Sequence, residues 1–257
     1  MGSNYDSDIN STPRSNELCP KNFKFKLKTS SYYLHGVWFV EHVYIYDILE
    51  IIELLGRGRT AAVYSCIKRE GVSDQSSVNS DVPRSARPKM LAVKIFHKKS
   101  HHEISRKLQI MTEINLLEFL QHQNIVKFDS LYEDRTKIYL LMELPENYIN
   151  LQTYLTANHK KLIDRKVLNI STQIVSSIAH CHSHNITHLD LNLSNILINP
   201  STSQIKIIDF GSGLINGLRP HSSLMLEMTP AFMPPEVINS FAKMNSYWAV
   251  DVWSIGV

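Results

Sequence analysis

The stretch that decides the fold is "HLDLNLSN", residues 188–195. It places Asp190 and Asn195 five positions apart, just after His188. A carboxylate there can accept a hydroxyl proton, and an amide oxygen can join the ligands of a hard cation. Between them stands Asn192, an uncharged amide.

The next pieces lie on either side. Downstream, "IIDFG" offers Asp209 as a second and stronger ligand, since Mg²⁺ prefers carboxylate oxygen. Upstream, "LAVKIF" sets Lys94 in the middle of an apolar strand, where a lone ammonium would be costly. Glu113, among core-facing positions of the following helix, is its natural counter-charge. The pair reads either as a structural ion pair or as a Lys held ready for phosphates. "LLGRGRTAAVY" puts Gly56 and Gly58 in a strand–turn–strand setting, with Ala61 at the third glycine position. By itself it reads better as a plain hairpin, and the absence of a following helix argues against a dinucleotide fingerprint.

The surrounding pattern predicts strands at "ILEIIELLG", "AVYSCIKR", "MLAVKIF", "NIVKFDSLYE" and "KIYLLMEL". A helix is expected over "RKLQIMTEINLLEFLQH", with Ile110, Ile114, Leu117 and Leu120 on one face. A second is expected over "DRKVLNISTQIVSSIAHCH", capped by Asp164 and repeating through Val167, Ile170, Ile174 and Ile178. Short strands "NILI" and "IKIIDF" bracket a turn. Residues 70–90 read as a flexible insertion, and 1–47 as a disordered or loosely ordered extension.

Ordered as Gly-rich hairpin, Lys94, Glu113, Asp190/Asn195, Asp209-Phe210-Gly211, "PPE" (234–236) and "DVWSIG" (251–256), these pieces resemble the eukaryotic protein kinase family over residues 48–257. The resemblance implies an α+β, bilobal fold. A five-stranded sheet and helix C form the N-lobe (about 48–143), and a mainly helical C-lobe (about 146–257) stops at the helix beginning near Asp251. It implies ATP and Mg²⁺ as cofactors and a Ser or Thr hydroxyl on a protein as substrate.

Position by position, it implies Asp190, Lys94 and Glu113 as catalytic residues and Asn195 and Asp209 as metal ligands. Leu55, Gly56, Arg57, Gly58, Val63, Ala92, Lys94, Met142, Glu143, Leu144 and Leu197 would line the ATP site. Val63, Ala92 and Leu197 would sandwich the adenine, Met142 would be the gatekeeper, and Glu143 would offer its carbonyl. Leu117, Phe128, His188 and Phe210 would stack as the regulatory spine. Thr229 and Glu236 would belong to the substrate-binding loop, and Thr229 favours Ser/Thr over Tyr specificity.

The departures are also informative. Pro145 lacks the hinge N–H that would bond adenine, a loss of about 0.5–1.5 kcal/mol. Its setting is similar to Pim-type kinases, whereas "HLDL" without Arg is similar to myosin light chain, death-associated and Mos kinases. A calmodulin-kinase-like group is the reading preferred. Leu189 stands where an Arg normally clamps a phosphorylated activation loop, so activity is expected not to depend on such phosphorylation through this residue. Asn192 stands where the family has a Lys that touches the transferred phosphoryl group, and loss of that charge is expected to slow the reaction rather than abolish it. Ser194 and Asn150 replace acidic residues of Arg-directed kinases, so no basic substrate motif is expected. The alternative reading is a pseudokinase-type nucleotide-binding or scaffold module, or an inactive kinase fragment.

Bulk properties agree. A chain of 257 residues with net charge +3 shows no basic cluster that calls for nucleic acid. No apolar run has the length of about 18 residues that a membrane span needs. Three scattered cysteines suggest a reduced protein of the cytosol or nucleus. Zinc binding through His180, His182, His184 and His188 is disfavoured by their spacing.

Overall fold

"MLAVKIF" alternates two sets of side chains, and the N-terminal half of the fold is what buries both. The computed structural model describes residues 31–34, 37–40, 45–58, 61–69, 89–98, 103–134, 136–158, 163–215, 228–240 and 247–257, with backbone only at 31–40, 103–109 and 239–240. The elements begin with β1 (Ser31–Leu34), β2 (Val37–Val40), α1 (Ile45–Ile48), β3 (Leu49–Arg57), β4 (Ala61–Lys68), β5 (Met90–His97) and α2 (Glu103–Phe119). Then come β6 (Phe128–Glu133), β7 (Lys137–Glu143), β8 (Ile149–Asn150), α3 (Leu151–Ala157) and α4 (Asp164–Ser183). Last are β9 (Ile186–Thr187), β10 (Ile196–Ile198), β11 (Ile205–Ile207), β12 (Leu214–Ile215), α5 (Pro235–Ser240) and α6 (Trp248–Gly256).

The five expected strands form one antiparallel sheet in the order β3-β4-β5-β7-β6. In it Lys94 pairs with Val63 on one side and Leu140 on the other, while Ala92 pairs with Met142. Helix α2 packs on the inner face. Ile110, Ile114, Leu117 and Leu120 are all buried, as their spacing predicts, although the helix starts three residues early and ends at Phe119. The chain turns there because the His122 Nδ1 accepts the Asn124 N–H.

The outer face has a cover of its own. Cys66, Leu91, Val93, Tyr139 and Leu141 form a second core that Ile45, Ile48 and Leu49 close. Part of the extension is therefore built onto the sheet: α1 is buried through Ile45 and Ile48, and β2, paired with β1, lies against β6. An apolar outer face needs such a cover. Residues 1–30, and 70–88 of the expected insertion, lie outside the described residues.

The second half is mainly helical, with short ladders β11-β10-β8 and β12-β9. Ile163, not Asp164, occupies the N-cap of α4, and Asp164 sits in the first turn, where a carboxylate complements the helix N-terminus. Ile170 and Ile178 are buried, but Val167 is 45% exposed because the helix meets the core only from its second turn. Helix α6 begins at Trp248, which puts Asp251 in its first turn. Among the described residues no helix is long and apolar enough to cross a membrane, and Cys66 and Cys181 are free and buried.

Candidate active site

The site is organised by the inward side chains of β5. The Lys94 Nζ donates to Glu113 Oε1 at 2.7 Å and to Asp209 Oδ1 at 2.7 Å. One ammonium thus ties α2 to the loop after β11. Burial opposes the Lys94 charge, but Glu113 and Asp209 outweigh it and hold the ammonium above its usual range. Burial would likewise raise Asp209, but Lys94 and the Gly211 N–H keep its carboxyl below the usual carboxylate range. Both charged forms are favoured because each has a partner within hydrogen-bond reach.

Local backbone shape puts Asp209 there. It is left-handed (φ 63°) and its Oδ1 accepts the Gly211 N–H, which opens the turn Phe210–Ser212. A Cβ on Gly211 would come 3.0 Å from Asp209 Oδ1 and 3.6 Å from Lys94 Nζ, so the residue is small where the ion cluster needs room. Phe210 is fully buried, 4.7 Å from the His188 ring centroid. Leu117 and Phe128 belong to the same core, so all four expected spine residues lie in one region. The His188 Nε2 donates to the Ile208 carbonyl and Nδ1 accepts the Asp190 N–H, which occupies both ring nitrogens.

Asp190 is held from two sides. Its Oδ1 accepts from the Thr229 N–H at 2.8 Å and the Thr229 hydroxyl at 2.6 Å, and its Oδ2 accepts from Asn195 Nδ2 at 3.1 Å. Asn195 Nδ2 also donates to the Asp190 carbonyl at 2.9 Å. With its amide nitrogen spent on Asp190, Asn195 keeps Oδ1 as its acceptor for a cation. A carboxylate at Asp209 and this amide oxygen are a donor set that suits Mg²⁺.

Most residues expected at the nucleotide wall lie on or beside the five-stranded sheet. Val63, Ala92, Met142 and Leu144 join one apolar cluster, and Gly56 pairs with Val63 across the β3–β4 ladder. Leu55, Arg57 and Gly58 are exposed along the same ladder, and Leu197 lies half-buried on β10. Glu143 is anchored by Lys206 Nζ at 2.5 Å and by the Lys127 N–H at 3.0 Å. Glu236 stands apart from these groups, exposed in the first turn of α5. The four histidines weighed for zinc are spread among other contacts, and among the described residues no metal-holding group of three or more His, Cys, Asp or Glu exists.

Three residues carry more than the sequence disclosed. Asp251, fully buried, accepts from the backbone N–H groups of His188 and Leu189 at 2.9 Å each, and His182 Nε2 lies 2.9 Å from it. In the sequence "DVWSIG" stood only as a motif, with no role for its Asp. Leu189 is left-handed (φ 65°), a strained state for a Leu, and is stabilised by those Asp251 bonds and by packing with Leu214, Met228, Val237, Tyr247 and Val250. Gly213 has Leu116 Cδ1 only 2.4 Å from where a Cβ would be, so α2 approaches the chain here as only a glycine permits.

Comparison with known proteins agrees with this geometry. The protein kinase domain family matches residues 49–257. A probable serine/threonine-protein kinase CCRP1 of Zea mays is 33% identical over 66% of this chain and 26% of its own length. The serine/threonine-protein kinase PLK4 of Drosophila willistoni is 29% identical over 80% of the chain and 24% of its own length. Myosin light chain kinase 3 of Danio rerio is 29% identical over 82% of the chain and 26% of its own length. The chain thus spans about a quarter of the length of these relatives.

Proposed function

The chain belongs to the serine/threonine branch of the eukaryotic protein kinase family, and we propose that it transfers the γ-phosphoryl group of Mg-ATP to a protein hydroxyl. The observation that carries this reading is the Lys94–Glu113–Asp209 cluster at 2.7 Å, together with an Asp190 held by Thr229 and Asn195. Lys94 neutralises the phosphates, and the backbone around Gly56 and Gly58 covers them. Asp190 aligns the substrate hydroxyl and accepts its proton as the new P–O bond forms and the bond to the ADP oxygen breaks. Asp209 and Asn195 would hold Mg²⁺, which supplies charge neutralisation at the phosphates when bound.

Two side chains at the cleft are already committed. Asn150 Oδ1 caps α3 through the Thr153 N–H at 2.7 Å, and the Ser194 hydroxyl donates inward to Asn192. Neither supplies a carboxylate, so the substrate motif we propose has no required Arg. The apolar setting of Leu189 supports activity that does not rest on a phosphate clamp at that residue. A phosphomimetic pair at Ser222 and Ser223 should leave turnover within a few-fold, and a large rise would oppose it. Free buried thiols fit a reducing compartment, the cytosol or nucleus, which imaging of the tagged protein checks.

Asp190→Asn is the direct test of function. It keeps the side chain's shape, removes the proton acceptor, and should lower phosphotransfer by about 10²–10⁴-fold while leaving Mg-ATP binding intact. Retained turnover would overturn the reading. Nucleotide binding with no turnover in the unsubstituted protein would favour a scaffold module instead.

A further inference from the structure

The residue that the sequence marks as a loss is the best-connected side chain of the catalytic loop. Asn192 is 6% exposed, and both ends of its amide are used. Its Oδ1 accepts from the Ser194 N–H at 2.9 Å, the Ser194 hydroxyl at 2.5 Å and the Asn195 N–H at 3.2 Å. Those bonds cap the 3₁₀ turn Leu193–Asn195, so they fix the backbone of the expected metal ligand. Its Nδ2 donates to the Asp190 carbonyl at 3.1 Å and to the Thr229 hydroxyl at 3.0 Å. That hydroxyl in turn donates to Asp190 Oδ1.

We propose that Asn192 is a positioning residue: its one uncharged amide locks the turn that carries Asn195 to Asp190 and to the Thr229 segment, so that base, metal ligand and substrate-side loop are set relative to one another without a cation at this position. The inference rests on the kinase reading above and deepens it. A Lys or Arg could donate to Thr229 but has no acceptor for the Ser194 and Asn195 N–H groups. An Asp could accept from those groups but could not donate to Thr229. Only an amide does both at this length. The two halves of the side chain therefore have separable duties, the oxygen toward metal–nucleotide affinity and the nitrogen toward turnover.

Steady-state phosphotransfer and Mg-ATP titration of the whole protein carrying Asn192→Ala or Asn192→Asp test the division. Asn192→Ala should weaken Mg-ATP and lower kcat, each by about tenfold. Asn192→Asp keeps the cap, so Mg-ATP affinity should stay within about twofold while kcat still falls by about tenfold. Unchanged constants in Asn192→Ala, or equal affinity loss in both variants, would overturn the proposal. A second measurement needs no turnover. Thermal melts of Asn192→Ala, Thr229→Val and the double variant should show a double loss smaller than the sum of the singles, and additive losses would overturn the Asn192–Thr229 link. Asp190→Asn run in the same assay keeps the two failures apart: full turnover there overturns the kinase reading, whereas the melts and titrations judge Asn192 on their own.

Discussion

The two faces of β5 ask different things of the same strand. Toward α2 and the cleft it presents Ala92, Lys94 and Phe96; toward α1 it presents Leu91, Val93 and Ile95. The inner face depends on where single atoms lie, because Lys94 must reach two carboxylates at 2.7 Å each. The outer face depends on filled volume, which several apolar residues of similar size can supply. Inner-face changes should therefore appear in turnover, and outer-face changes in stability.

The largest effect should follow from Lys94→Met. The substitution nearly conserves volume but removes the ammonium from the fully assembled cluster. Phosphotransfer should fall by about 10²–10³-fold, a loss comparable to deleting one preorganised charge-stabilising donor. Turnover kinetics on protein shown by its melt to be folded decide it. A variant that lost stability alone would erase the distinction between the faces.

Gly213→Ala tests the inner side through packing. Gly213 has φ −60°, so its backbone admits a side chain, but a Cβ would meet Leu116 Cδ1 at 2.4 Å. Leu116 is buried on α2, so either its side chain or the helix has to shift. Overpacking should cost about 1–3 kcal/mol and displace α2, which carries Glu113. A lower melting point together with weaker turnover is expected; a change in stability alone would show that α2 absorbs the strain without moving Glu113.

On the outer face, Ile48→Ala removes a side chain that is 1% exposed. A loss of about 2–4 kcal/mol in denaturant melts is expected, with kcat and KM for ATP unchanged in the folded fraction. A shift in KM would mean that packing at α1 reaches the cleft through β5. The pH dependence separates the faces again. Asp209 is depressed, so its stabilisation is present above the unfolded carboxylate value near 3.9 and is lost as pH falls through its lower folded value. Lys94 is raised, so its share is full below about 10.4 and is lost only as pH climbs past its higher folded value. Stability from the ion cluster should therefore be flat across neutral pH and fall in acid, and Lys94→Met should blunt that acid loss in melts between pH 2 and 6 more than Ile48→Ala does.

Legibility in the sequence followed the same division. Lys94 could be read because a charge inside an apolar strand demands a partner, and Glu113 could be read because it interrupts a core-facing pattern. Asp190, Asn195 and Asp209 stood out by chemistry, and only the family resemblance joined them; the structure sets Asn195 against Asp190, and the Ile208 N–H beside Asp209 donates to the Asn195 carbonyl. The cover on the outer face was not legible, because α1 is one helical turn with no period to detect. Nor was the role of Leu189, whose importance lies in a left-handed backbone and in residues about 25 to 60 positions away. Asn192 was read by what it lacks, since hydrogen bonds to Ser194, Asn195 and Thr229 leave no trace in spacing.

The smallest effect should come from Val167→Ala on α4, where periodicity and packing disagree. The three- and four-residue spacing groups Val167 with Ile170, Ile174 and Ile178, yet Val167 is 45% exposed and Ile178 only 2%. Ala is the better helix former and little apolar area is given up, so stability should change by no more than about 0.5 kcal/mol in either direction. Ile178→Ala, by contrast, should cost about 2–4 kcal/mol, because it opens a cavity in the core shared with Cys181 and Ile186. Parallel urea melts of the two variants give the ratio. If Val167→Ala cost as much as Ile178→Ala, Val167 would be covered in solution, and the apolar stripe of α4 would extend through its first turn.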